Sequence, residues 1–274
     1  MFASTSLAAR IERAECRLLV DSAAAAARRH PETRVFSTPL GGGVATYTLP
    51  GAPLNKVAGL GFSPLEERDI DAVERAFAER GSPVQAEVST LGDPAVVRTL
   101  TGRGYRLRGF ENVLGRRLPA GPVPRPEGVA VLPSPVEELD AWIDVVTTGF
   151  ASPDGQGVPS HESHPQDLVK TVMADMASAE GFSRYLARRD GAPAGGASLR
   201  LFEGVAHLCG AATLSAHRRR GVQTALLARR LEVAAEAGCD VAVVVTQPGS
   251  KSQENVQRQG FHLLYARAVL VREP

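Results

Sequence analysis

A chain of 274 residues with 43% hydrophobic and 22% charged residues holds enough apolar material for one or two packed domains, which excludes global disorder. Its 31 basic and 30 acidic residues leave a formal net charge of +1, so no overall field favours a nucleic-acid backbone or an anionic membrane surface. Three cysteines, Cys16, Cys209 and Cys239, form no CxxC pair. That argues against a disulfide framework or a cysteine-held zinc site, and for a reducing compartment.

In chain order, the opening stretch MFASTSLAARIERAECRLLV interrupts its apolar residues with Arg10, Glu12, Arg13 and Glu15. It has neither a secretory core nor a membrane span, so a cytoplasmic location is expected. Glycines at 41–43 and the segment NKVAGLGF at 55–62 mark turns and close backbone approaches. A helix-like run then ends at Gly81, a strand candidate follows at 83–89, then a loop, Gly104-Tyr105 and Val113-Leu114. Residues 119–128, PAGPVPRPEG, carry four prolines in ten positions and predict a linker between a first domain at 1–118 and a second at 129–274.

Beyond the linker, 129–132 predict a short strand, and 136–150 a helix with Leu139, Trp142, Ile143 and Val146 at helical spacing. Residues 151–166 are a loop by composition, and 182–188, 196–202 and 205–213 are strands, with Asp190-Gly191 as a hairpin turn between the first two. A helix-like run then ends at Gly238, with a strand at 239–245, a loop, Gly260-Phe261 and Val269-Leu270. The two halves keep matched intervals. Gly81 to Gly104 is 23 residues against 22 for Gly238 to Gly260, and each second glycine precedes its Val-Leu pair by 9. The expected fold class is α/β with a mixed sheet, built from a duplicated module; two unrelated α/β domains of similar period are the alternative.

The segment 205–238 places a basic, glycine-containing turn between a strand and an amphipathic helix. Amides at a helix N-terminus lack intrahelical acceptors and carry partial positive charge, so Arg218, Arg219, Arg220, Gly221, Val222, Gln223 and Thr224 form a candidate anion cradle. A solvated basic turn opening a surface helix is the other reading of the same residues.

Here the chain resembles the GCN5-related N-acetyltransferases (GNAT). Their acetyl-CoA loop has the pattern Arg/Gln-x-x-Gly-x-Gly/Ala, against Arg218-Arg219-Arg220-Gly221-Val222-Gln223, with Gln223 departing at the last position. The final segment also looks like the family's, with Ser252 and Asn255 ahead of Gly260-Phe261. The resemblance implies two tandem GNAT-like modules and acetyl-CoA as co-substrate, with no metal. It implies that Ala211, Ala212 and Thr213 pair with the pantetheine arm in the manner of an added strand, although small residues there also suit simple packing. Some relatives carry a glutamate base fourteen residues before the loop glycine. That position is His207, a base near neutrality or a structural histidine, sharing a face with Cys209, Ala211 and Thr213 on an alternating strand. The tyrosine acid of many relatives falls at Val256 and is absent; Tyr265 and Ser252 lie near in sequence without matching its position.

His161 and His164, with Glu162 between them, lack a third partner and suit a polar substrate-side loop better than a metal site. In the first half, Glu66, Glu67, Asp69 and Asp71 stand where the second half has its arginines, so that copy is expected not to bind CoA. The function expected is acetyl transfer from acetyl-CoA to a small-molecule amine in a ternary complex. A non-catalytic acetyl-CoA sensor and a protein N-acetyltransferase are the alternatives, and a homodimer is compatible with either.

Overall fold

A computed structural model describes residues 1–119, 121, 124–152, 155–158 and 163–274. Its elements, in order, are α1 (Thr5–Arg29), β1 (Phe36–Leu40), β2 (Gly43–Tyr47), β3 (Lys56–Leu60), α2 (Glu67–Ala78), β4 (Val84–Ser89), α3 (Pro94–Gly102) and β5 (Arg106–Arg117). The second half follows with β6 (Val129–Pro133), α4 (Leu139–Phe150), α5 (Gln166–Ala177), β7 (Phe182–Arg189), β8 (Ala192–Phe202), β9 (Val205–His207) and β10 (Ala212–Thr213). It closes with α6 (Val222–Glu236), β11 (Val241–Thr246), α7 (Lys251–Arg258) and β12 (His262–Arg272). Among the described residues no helix is long and apolar enough to cross a membrane.

All strands join one sheet in the order β1-β2-β3-β4-β12-β5-β11-β9-β8-β7-β6, with β10 paired to β8. Proline, which cannot donate to a ladder, stands in both outermost strands, as Pro39 and Pro133. The order repeats about the centre. A hairpin, β1-β2 or β7-β8, leads to a strand, β3 or β9, that runs parallel to β4 or β11. Between these blocks lie β12 and β5, antiparallel to each other, and each is the last strand of its own half. The halves have therefore exchanged closing strands: β5 pairs with β11 along Asn112–Arg117, and β12 pairs with β4 along Arg267–Arg272. Each core contains a residue from the other half. Leu114 packs with Leu226, Leu231 and Ala242, while Leu270 packs with Ile70, Phe77 and Val88.

Helices cover both faces. On β8, a Cβ on Gly195 would meet Val222 and Leu226 of α6, and one on its neighbour Gly196 would meet Val146 and Trp142 of α4. Successive residues point to opposite faces of a strand, so α4 and α6 lie on opposite sides of the sheet. The long helix α1 shares the α4 side. Its first half packs on Val113, Val205, Val241 and Tyr265, and its later turns meet α5 through Leu18, Leu19, Val172 and Met176. Asp175 of α5, almost fully buried, fixes that contact by accepting from Arg29 at 2.7 Å and pairing with His30 at 3.0 Å.

Three expectations are corrected. The segments at 90–103 and 247–259, expected as loops, contain α3 and α7, whose N-caps Asp93 and Ser250 accept from Ala95 and Gln253 amides. Both helices are short: α3 spans only nine residues and opens on a proline, and α7 is polar along most of its eight. The continuous strand expected at 205–213 is two strands, β9 and β10. His207 pairs with Arg200 but Ala212 pairs with Gly196, so five steps on one chain oppose four on the other. That extra residue is a bulge, with Gly210 at φ +49°. It breaks the alternation expected to align His207 with Ala211 and Thr213: beyond the bulge it is the side chain of Ala212 that meets Gly149 of α4.

Candidate active site

The bulge is what opens the site. Before it, β9 is hydrogen-bonded to β11, from Val205–Val241 to His207–Val243, and the last link is Leu208 N–H donating to Val243 at 2.8 Å. After it, the chain turns to β8. The backbone N–H and hydroxyl of Ser198 both donate to the Cys209 carbonyl, at 3.1 and 2.7 Å, and Leu214 N–H donates to Ala194. Among the described residues, the facing edges of 209–213 and 244–246 share no ladder bonds. The result is a wedge with unpaired backbone on both sides, suited to an extended polar chain. Ala211 is exposed, Ala212 is buried against Gly149, and Thr213 is half-buried at the inner wall.

At the wide end of the wedge the chain enters α6 through two left-handed residues, Arg219 at φ +57° and Gly221 at φ +79°. Gly221 is the N-cap, and no side chain caps the helix. Among the described residues, the first-turn amides, including those of Val222, Gln223 and Thr224, are therefore without a side-chain acceptor, in a backbone turn of the kind that concentrates N–H groups on an anion. Arg219 and Arg220 are exposed and make no ion pair among the described residues, while Arg218 donates to the carbonyl of Ser152 beyond α4. These residues fit a diphosphate. Gln223, the departure from the expected pattern, is drawn aside: Asn255 of α7 donates to its side-chain oxygen at 2.5 Å. Two residues separated by 32 positions are thereby joined across the mouth of the wedge. Ser252 is exposed on the first turn of α7, and the cap there is Ser250, which sequence spacing did not single out.

The position of the missing tyrosine, Val256, is a core residue packed with Phe261 and Leu114. Tyr265 points to the α1 face, the side on which His207 lies, but its hydroxyl is committed to Glu12, to which it donates at 2.7 Å. Neither supplies an acid at the wedge.

His207 lies immediately before the bulge, and its side chain keeps 10% of its surface. Its Nε2 is 3.5 Å from Oε2 of Glu15, brought over the sheet by α1. Burial holds the imidazole below its usual pKa of 6.5, although Glu15 pulls the other way. Around it runs a buried layer of charge that no sequence motif announced. Arg267, 1% exposed, donates to Glu12 at 2.9 Å and lies 3.7 Å from Glu15, 3.5 Å from Glu87 and 3.9 Å from Glu111. Lys56 donates to Glu87 at 2.6 Å. These groups sit on five elements from both halves, so their convergence follows from the strand exchange and was not visible in local spacing.

The cysteines are not poised as nucleophiles. Burial pushes the Cys209 thiol up, and pushes that of Cys16 to about 12. His164 hydrogen-bonds the Gly51 carbonyl at 3.0 Å, while His161 and Glu162 lie outside the described residues. Among the described residues no group of three potential ligands could hold a metal.

The first half has no such wedge. Its parallel pair β3 and β4 stays joined to Leu60–Val88, and Asp93 N–H then donates to the Gly61 carbonyl at 2.8 Å. At that point Gly61 and Gly92 meet backbone to backbone, so tightly that a Cβ on either would press on the other's chain. The helix that follows, α2, has Glu66 at its N-cap and Glu67 and Asp69 in its first turn.

The wedge thus leads from unpaired strand backbone to the uncapped, glycine-led start of α6. Residues 150–261 match the model of the acetyltransferase (GNAT) family, so the chain carries an acetyltransferase domain of that family, whose members use acetyl-CoA. The fold over nearly the whole chain is that of a GCN5-related N-acetyltransferase from Kribbella flavida, with TM-score 0.71 at 20% identity, covering 98% of this chain and 96% of the other. A tandem GNAT protein from the clavulanic acid biosynthesis pathway gives 0.58 at 16% identity over 86% and 81%. A GCN5-related N-acetyltransferase from Sphaerobacter thermophilus gives 0.55 at 17% over 80% and 71%. No curated protein matches the sequence. The architecture is thus two tandem GNAT-like modules in one mixed sheet.

Proposed function

We propose that the C-terminal module, 129–274, transfers the acetyl group of acetyl-CoA directly to the amine of a small molecule within a ternary complex. The observation that carries this reading is the wedge between β10 and β11 leading to the uncapped start of α6. In that reading the amides of Gly221 to Thr224, with Arg218, Arg219 and Arg220, hold the diphosphate. Ala211, Ala212 and Thr213 pair with the pantetheine arm, and Ser252 and Asn255 flank it. Bound acetyl-CoA supplies an activated thioester. The chain's own residues hold the acceptor against it, and holding two reactants in register can contribute roughly 7–11 kcal/mol of a barrier.

His207 takes a proton from the amine, directly or through one water, in its neutral form, which its depressed pKa favours at neutral pH. A covalent acetyl-cysteine route is disfavoured, because the nearest thiol, Cys209, is held protonated by burial. A small acceptor is supported by the crowding on the α1 face: α1 covers His207 through Glu15, α5 is tied to α1 through Asp175, and His164 bonds the Gly51 carbonyl. A peptide needs an open groove there.

The test is calorimetric titration with CoA, followed by thiol release from acetyl-CoA across a panel of small amines and lysine peptides. One saturable CoA site and turnover with a small amine are expected. No CoA binding overturns the proposal; tight binding without turnover supports a sensor, and faster turnover of peptides a protein acetyltransferase.

A further inference from the structure

Glu15 belongs to the half that lacks a cradle, yet its carboxylate is the one ion-pair partner of His207 among the described residues. The same oxygen, Oε2, faces Nε2 of His207 at 3.5 Å and Nη2 of Arg267 at 3.7 Å, so β12 holds the carboxylate from behind while β9 presents the ring in front. The helix delivering it is anchored at both ends, by the Ser4 cap and by the Arg29 and His30 bonds to Asp175. We propose that Glu15 is a positioning residue for His207, so that the reacting centre of the C-terminal module is completed by a side chain of the N-terminal one. The inference rests on the reading of His207 as the proton acceptor.

The chemistry is tautomer selection. A carboxylate beside Nε2 favours the neutral ring with its proton on Nε2, which leaves the Nδ1 lone pair to accept a proton. It also offsets part of the cost of charging a buried imidazole. The other charges around the ring are Arg267 from β12, Arg200 from β8 and Lys56 from β3, and all three oppose an imidazolium; the bulge after β9 adds Cys209, and the paired residue of β11 is the apolar Val243. Farther along α1, Asp21 is occupied by Arg17 and Arg200, and Glu12 by Arg267 and Tyr265. Glu15 is therefore the group whose removal should be felt at His207.

The experiment is nitrogen-15 imidazole NMR of the full-length protein, wild type and Glu15→Gln, with His207 assigned through His207→Gln. Expected is a wild-type neutral ring protonated on Nε2, and in Glu15→Gln a titration lowered by at least about half a unit with a changed tautomer balance. A wild-type ring protonated on Nδ1, or a titration unmoved by Glu15→Gln, overturns the proposal. Should Glu15→Gln fail to fold, Glu15→Asp keeps the charge and draws it back, and the titration should drop by a smaller amount; no drop has the same adverse meaning. With the best amine of the panel, the acidic limb of kcat/KM should move with the NMR titration. If the ring titration moves and that limb does not, the positioning role falls while CoA binding stands. If no CoA binds at all, the transferase reading falls while the His207 titration still reports on Glu15.

Discussion

Glu111 and Gly221 show how single residues set the chemistry of this fold. Burial, and then the neighbouring charge of Glu87, push the Glu111 carboxyl up to about 8, against the pull of Lys56 and Arg267. A folded pKa above the ordinary 4.5 means that its contribution to stability is full below 4.5 and is lost as pH rises through about 8. Glu15 has the opposite sign. Burial alone would raise it, but Arg267, His207 and Lys56 together hold it at about 2, so its contribution is present above 4.5 and is lost as pH falls toward 2. Glu111→Gln should therefore gain on the wild type between pH 5 and pH 8 by at least about 1 kcal/mol, given ~1.4 kcal/mol per pKa unit. Urea unfolding at the two pH values measures it, and an equal difference at both would show that Glu111 is ionised throughout. At Gly221 two constraints coincide. The backbone is left-handed at φ +79°, and a Cβ would fall inside van der Waals contact with Pro126 of the proline-rich linker. Gly221→Ala should cost about 1–2 kcal/mol of stability from the backbone alone. If the amides there hold the diphosphate, CoA affinity should also fall at least tenfold by calorimetry; unchanged affinity would move the diphosphate elsewhere.

At the scale of elements, the sequence was most informative where hydrophobic period and glycine placement agreed. The amphipathic stripe of Val222, Leu226, Leu231 and Ala234 predicted α6, and Gly81 and Gly238 marked the ends of matching helices. Matched spacing also announced the duplicated order of elements that the sheet displays. What it could not announce was any feature decided by non-local packing. The helix α5 has a weak pattern because Asp175 is among its buried residues, satisfied by Arg29 and His30 from the other half. The bulge at Gly210 depends on which carbonyl Ser198 selects across the sheet, and local alternation predicts a continuous strand instead. The wedge therefore had to come from the structure, although the residues lining it came from the sequence. Conversely, Gly61 and Gly92 look like ordinary turn glycines, yet their contact helps hold the first half's parallel pair together where the second half opens. The first half thus differs from the second in strand geometry as well as in the charge at the start of its helix.

For the molecule as a whole, the decisive feature is the exchange of β5 and β12. We propose that residues 119–128 mark a boundary along the chain and not one in cooperativity. Without β5, the second half would lose the strand between β11 and β12, and with it Leu114, which is fully buried in its core. Fully burying one such leucine stabilises by about 1.5–3 kcal/mol, and β11 would in addition present an unpaired edge. The first half would lose Leu270 and the partner of β4 in the same way. The buried charges bind the halves further, since Arg267 from the last strand is held by Glu12 from the first helix. Removing one partner from such a pair costs on the order of 3–5 kcal/mol. The full chain should accordingly unfold in one transition. Trp142, fully buried in the second half, is the chain's single tryptophan, so its fluorescence follows that half while far-UV dichroism follows both. The two urea curves should coincide, and residues 129–274 expressed alone should lack a cooperative transition unless residues 1–118 are supplied with them. Separate midpoints, or an isolated second half that melts like the intact protein, would mean that the shared strands join two modules already stable by themselves.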